Sequence, residues 1–136
     1  MWTVTLNEIS HKMTSDSSNC SYNRIIELIG LAPDDTVTSV SVLRVKVKDL
    51  YRPAYNPDVT SQKMSFNLNS EDEDFVRFFK GNFVDNPYPW TALGYTYDYG
   101  KEDHYGVSEF VLLKGRHYHV IDTVRIEDYI QNKCRF

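Results

Sequence analysis

Apolar and polar residues alternate at the start of the chain, with Trp2, Val4, Leu6 and then Glu8 separated by Thr3, Thr5 and Asn7. A period of two predicts a strand. His11 to Asn19 is polar and serine-rich and predicts a loop. Ser21 or Asn23 then caps a short helix through Ile25, Ile26, Leu28 and Ile29, which Gly30 stops. Pro33-Asp34-Asp35 marks a turn. Thr36 to Leu50 carries the longest strand signal: Val37, Ser39, Ser41, Leu43, Val45 and Val47 share one face, and Val40, Val42, Arg44, Lys46 and Lys48 share the other. The charged half of that second face is expected in solvent. Pro53 and Pro57 predict a rigid, irregular connection over Tyr51 to Thr60, and Met64, Phe66 and Leu68 predict another short strand. Ser70 and Glu73 have the spacing of a capping box ahead of a helix with Phe75, Val76, Phe78 and Phe79 on its apolar face, ended by Gly81.

The last third reads as a β-meander: a strand from Trp90 to Tyr99, a polar loop Gly100 to His104, a strand Tyr105 to Leu113, a tight Lys114-Gly115 turn and a strand Arg116 to Val124. Glu127 to Asn132 forms a terminal helical turn. The order of elements predicts an α+β class, with a mainly antiparallel β-sheet, a C-terminal β-meander and two or three short helices. No internal repeat or low-complexity segment interrupts it, and 136 residues suit a single domain over 1–136.

Composition adds one unusual feature, the 2 Trp, 10 Tyr and 7 Phe that make 14% of the chain aromatic. The net charge of −4 and a pI near 5.5 argue against nonspecific nucleic-acid binding and favour a basic protein partner. A local basic patch stays open. No run of 18 apolar residues predicts a membrane span, so no membrane partner is expected. Met1 to Ser10 lacks the basic start and apolar block of a signal peptide, which predicts a cytoplasmic protein or one exported without a classical signal peptide. Cys20 and Cys134 form neither a CxxC site nor a disulfide framework, and are read as two free thiols in a reducing compartment. Oligomeric state is not encoded legibly.

Candidate chemistry centres on Trp90 to Phe110. In a strand Tyr95, Tyr97 and Tyr99 share one face, while Gly94, Thr96 and Asp98 share the other. The tyrosines are either a packed sheet surface with wet hydroxyls or a stacking platform for a base, a nicotinamide or a sugar, to which Tyr88, Trp90, Tyr105 and Tyr118 add. If Gly100 sits opposite Tyr105, Asp98 faces Val107, Thr96 faces Glu109, and the next hairpin sets Glu109 opposite Val120. Glu109 then lies on a central strand beside Thr96 and diagonal to Asp98. A carboxylate there is costly to bury without a partner, so its charge is solvated on the wet face of a half-exposed sheet, paired with a cation, or used. In the last case a pKa raised by burial and a neighbouring carboxylate would suit general acid/base work. The candidate cofactor-binding residues are thus Tyr95, Thr96, Tyr97 and Asp98, with Glu109 the catalytic candidate. Arg52, held between a long strand and Pro53, can clamp a phosphate or carboxylate, or can pair internally with Asp49 or Asp58. Arg44 is a second candidate for that role. His117 and His119 alternate onto one face, but no further metal-ligand spacing accompanies them, so no metal is expected. No GxSxG surrounds Ser108, and no Walker loop or GxGxxG is present.

Ser108-Glu109-Phe110-Val111-Leu112-Leu113-Lys114-Gly115, followed by Tyr118 and Val120, resembles the late catalytic-glutamate strand of mono-ADP-ribosyltransferases. In that family the glutamate orients the nicotinamide ribose and supports an oxocarbenium-like transition state. An arginine on an early strand contacts NAD phosphate, and aromatics flank the nicotinamide. The resemblance implies NAD as cofactor and Glu109 as the catalytic carboxylate, with Arg52 or Arg44 in the arginine's place by order along the chain. Val107 stands where the paired-acid ExE form has its first glutamate. Thr38-Ser39-Val40-Ser41 precedes Arg52, an order that differs from the family's Ser-Thr-Ser element.

Three functions compete on these residues. The first is an NAD-using, ADP-ribosyltransferase-like effector or toxin centred on Glu109 and Arg52. The second is a noncatalytic interaction module of the inhibitor or immunity type, using its tyrosine-rich sheet face. The third is a nuclease-like use of Glu109, Arg116 and His117. An enzyme requires Glu109 and an arginine to face one concave pocket.

Overall fold

β5 (Tyr105–Leu112) is the strand on which the main sheet is assembled. The computed structural model describes residues 1–14, 20–86, 88 and 90–133. β1 (Trp2–Val4) pairs antiparallel with one edge of β5, setting Trp2 opposite Val111 and Val4 opposite Glu109. β3 (Leu50–Tyr51) sets Tyr51 opposite Val111, and β4 (Tyr95–Tyr97) sets Tyr95 opposite Ser108 and Tyr97 opposite Tyr105. A single Ala54–Leu93 bridge joins the ends of these last two segments. The second sheet is a two-stranded ribbon of β2 (Ser39–Val45) and β6 (Tyr118–Arg125).

Helices cover β5 in two groups. α1 (Leu6–Thr14), α2 (Tyr22–Leu28) and α4 (Ile126–Lys133) bring Ile9, Met13, Ile25, Leu28, Ile126 and Tyr129 around Val107 in the main core. α3 (Glu73–Phe79) supplies an aromatic layer at the other end: Tyr51 stacks on Phe75 at 5.2 Å, and Phe78 and Phe83 pack on Trp2. Residues directly opposite in a ladder share a face, so Val4 and Glu109 lie between the Val107 core and the Trp2–Val111–Tyr51 layer. That seam is lined by a carboxyl.

The α+β class and its antiparallel sheets are as the sequence predicts, with six strands and four helices among the described residues. Three consecutive strands close the chain as expected. β4 and β5 pair as a hairpin, whereas β6 turns away after Gly115 (φ 85°) and pairs with β2. Glu109 therefore does not face Val120, whose partner is Leu43.

Several local expectations are corrected. The predicted first strand ends at Val4, and α1 occupies the region read as strand end and loop. Leu6, Ile9 and Met13 carry its helical period, and Ile9 and Met13 are buried. Residues 15–19 of the expected loop lie outside the described residues. No strand forms at Met64, Phe66 and Leu68; Phe66 is 98% exposed, so its alternation meets no partner. Asp72 caps α3, accepting from the amides of Asp74 and Phe75, while Ser70 only accepts from Asp72. A π-helical turn Lys80–Val84 carries the chain through Gly81. Ser21 caps α2 by accepting from Arg24 N, and Gly30 ends it at φ 70°, as expected. Cys20 is disulfide-bonded, which corrects the free-thiol reading for that residue; Cys134 lies outside the described residues.

Candidate functional site

The Trp90–Phe110 region folds as two distinct environments, one buried and one open. The buried one begins at α2. Its N-terminal turn presents Arg24 inward, where the guanidinium donates to Asp98 through both nitrogens at 2.7 and 2.5 Å. Arg24 and Asp98 are 7% and 1% exposed, and Asp98 Oδ1 also accepts from Gly100 N. The C-terminal end of α2 is capped by the same segment. Thr96 donates to the Leu28 carbonyl at 2.6 Å, Tyr99 to Leu31 at 2.6 Å and Tyr88 to Gly30 at 3.1 Å. Thr96 thus satisfies a last-turn carbonyl that the helix end leaves without an intrahelical partner, while Tyr88 and Tyr99 hold the two residues beyond the C-cap Ile29. Thr96 and Asp98, expected beside Glu109 as cofactor ligands, are therefore committed to holding α2.

A change of register separates them from Glu109. The expected pairing set Thr96 opposite Glu109; the observed ladder contains a bulge between Tyr95 and Tyr97, and Gly94 O accepts from Glu109 N at 3.1 Å. Thr96 Oγ1 instead accepts from Val107 N. A slip in a strand exchanges every neighbour, and a bulge does so locally.

Glu109 is 3% exposed, and its Oε1 has no hydrogen-bond partner among the described residues. Burial in this apolar seam pushes its carboxyl up to about 7. It can hold or release a proton near neutrality, yet it is not part of the walls of the clefts beside the Pro57–Met64 loop, between β1 and β2, or at Trp90 and His104. Arg52 comes near in the backbone and departs in the side chain. Its aliphatic stem packs over Gly94, where a Cβ would overlap it, and Nη1 donates to the Ser61 carbonyl at 3.4 Å. The Thr60 hydroxyl, chiefly, holds the Asp58 carboxyl below its ordinary range, and the Arg52 charge contributes. Arg52 thus serves the 57–61 loop through the Ser61 carbonyl, and makes no ion pair with Asp49 or Asp58 among the described residues. No ion pair joins Arg52 to Glu109. Arg44 is on the ribbon, opposite His119.

The open environment holds Tyr95 and Tyr97. They line a shallow cleft of about 320 Å³ with Trp90, Thr91, Leu93, Asp103 and His104. Tyr97 stacks on His104 at 4.5 Å with planes 19° apart, and Tyr95 packs on Tyr105 at 4.6 Å. Trp90 is fixed from behind by stacking on Trp2 at 4.8 Å. Ala92 and His104, both at φ 53°, are the described non-glycine residues in the left-handed region, and both belong to segments forming this cleft. Such backbone strain concentrates at functional surfaces. Sequence reasoning named the tyrosines and Trp90 but missed Leu93 and Asp103 as their companions, because only folding the 91–94 and 101–104 turns over the hairpin brings them in.

Among the described residues no three His, Cys, Asp or Glu side chains are grouped closely enough to hold a metal, and no helix is long and apolar enough to cross a membrane. Comparison with family models, curated protein sequences and solved structures finds no match to the chain.

Proposed function

We propose that this chain is a noncatalytic protein-interaction module, of the inhibitor or immunity type, whose contact surface is the aromatic cleft of Trp90, Tyr95 and Tyr97. One observation carries the reading. The two candidate tyrosines stay on an open, rigidly backed cleft, whereas Glu109, Arg52, Thr96 and Asp98 are each directed elsewhere. Tyrosine and tryptophan supply large contact area with little rotamer entropy to lose, which suits a binding hot spot. The hydroxyls of Tyr88 and Tyr99 are used in the fold, so the binding contribution comes from Tyr95 and Tyr97.

The NAD-using reading retains one favourable feature, a Glu109 carboxyl poised near neutrality beside Gly94. The deciding experiment is an amide-resolved NMR titration of the protein with NAD, paired with a nicotinamide-release assay. The module reading expects no shifts at millimolar NAD and no release. Shifts centred on Tyr95 to Glu109, with release abolished in Glu109→Gln, would overturn it.

A further inference from the structure

We propose that β6 is a docking edge for an extended segment of a partner protein in which acidic and apolar side chains alternate. The proposal rests on the interaction-module reading and assigns it a second contact surface. Among the described residues β2 and β6 pair only with each other, so β6 offers a free backbone edge. Every residue of β6 except Val124 is exposed. An unpaired edge is a template to which a partner's strand can add by main-chain hydrogen bonds. A bulge at Ile121 divides this edge, and the half nearer Gly115 runs from Tyr118 to Val120, with His117 just ahead of it.

The two faces of that half differ in chemistry. Leu43 lies opposite Val120 and Val45 opposite Tyr118, so these four point to one side. They line an apolar cleft of about 860 Å³, toward which Leu50 and Phe110 face from the main sheet. Val120 and Tyr118 remain 56% and 48% exposed. The other face carries Arg44 opposite His119, and Lys46 and His117, each one residue beyond its strand, would continue that side if the alternation carries on. All four are exposed, and none of their side chains has an ion-pair or hydrogen-bond partner among the described residues.

This local basic face stands on a chain of net charge −4. A strand added to β6 alternates between the two faces. Its carboxylates would meet Arg44, Lys46, His117 and His119, and its apolar side chains would cover Tyr118 and Val120. The 118–120 half of a second β6 offers no carboxylate to Arg44 and Lys46, so charge complementarity favours an acidic partner over self-pairing.

The test uses fluorescently labelled peptides of about ten residues, one alternating Glu and Val and one alternating Lys and Val, with the full chain. The Glu–Val peptide is expected to bind, to shift the amides of residues 117–120, and to weaken about tenfold or more in the exposed-site variant Arg44→Glu/Lys46→Glu. Absence of Glu–Val binding, equal binding of both peptides, or no loss in a variant with unchanged circular dichroism would overturn the proposal. Shifts confined to Trp90, Tyr95 and Tyr97 would overturn the β6 site while leaving the module reading in place. NAD turnover dependent on Glu109 would remove the module reading whatever the peptides do.

Discussion

Arg24 and Asp98 lie 74 residues apart in sequence and close a two-pronged, buried ion pair at 2.7 and 2.5 Å. The pair ties the first turn of α2 to the β4–β5 hairpin, the Thr96 hydroxyl ties its last turn, and those of Tyr88 and Tyr99 tie the residues that follow it. The tyrosine-rich segment is consequently an anchor on one side and a cleft on the other.

Asp98→Asn removes the two-pronged, buried counter-charge of the Arg24 guanidinium and leaves it with the longer Glu27 contact at 3.7 Å. It should destabilise the fold by about 3–5 kcal/mol, as removal of one member of a buried pair does. The double variant Arg24→Met/Asp98→Leu should lose less than Asp98→Asn alone. Urea unfolding of the three proteins checks the order, and an additive double variant would contradict it.

Glu109 makes stability depend on pH in a stated direction. Its folded-state carboxyl is raised from 4.5 to about 7, so between these values the folded protein holds a proton that the unfolded chain releases. Stability contributed by the neutral acid is complete below about pH 4.5, falls as pH rises, and is gone above about pH 7. The loss is on the order of 3 kcal/mol. Glu109→Gln should therefore gain relative to wild type as pH increases from about 5 to 8. A difference between the two that stays constant across this range would contradict burial as the cause.

Thr96→Val keeps the shape of the side chain and removes an oxygen that both accepts from Val107 N and donates to Leu28 O. Leaving those buried backbone groups unpaired should cost about 1–3 kcal/mol. Hydrogen exchange at the Val107 amide should accelerate accordingly, and unchanged protection there would contradict the assignment.

Gly106→Ala tests the close approach behind this network. An added Cβ would overlap Thr96 Oγ1 and the carbonyl of Thr96, with the Leu28 carbonyl at 2.8 Å. Overpacking against backbone typically costs about 1–3 kcal/mol. A variant as stable as wild type would show that β4 and α2 can shift away freely.

The α+β class was legible because alternation at β2, β5 and β6 and the Ser21–Gly30 helix are strong local signals. α1 was not, because Leu6, Ile9 and Met13 are too sparse among polar residues to outweigh the preceding alternation of Trp2 and Val4. The central-strand place of Glu109 was legible, but its burial was not, because a carboxylate on a half-exposed sheet is expected on the wet face. Its neighbours were lost to the Tyr95–Tyr97 bulge, which no residue type announces. Arg24 stood in plain view beside Ile25 and Ile26, four residues before Leu28 on the same helical face. Its partner Asp98 could be found only through the tertiary path of the hairpin, and the same path separates Arg52 from Glu109.

Whether Tyr95 and Tyr97 form a partner-binding cleft is tested most directly by affinity capture from native cell extract with wild type and Tyr95→Ala/Tyr97→Ala, quantified by mass spectrometry. Removing hot-spot aromatics typically costs about 2 kcal/mol or more in affinity. The expected result is a protein retained by wild type and lost by the variant, compared at a temperature where circular dichroism shows both folded, since the half-buried rings also pack on Tyr105 and His104. Equal capture by the two proteins, at equal folding, would contradict a binding role for the cleft.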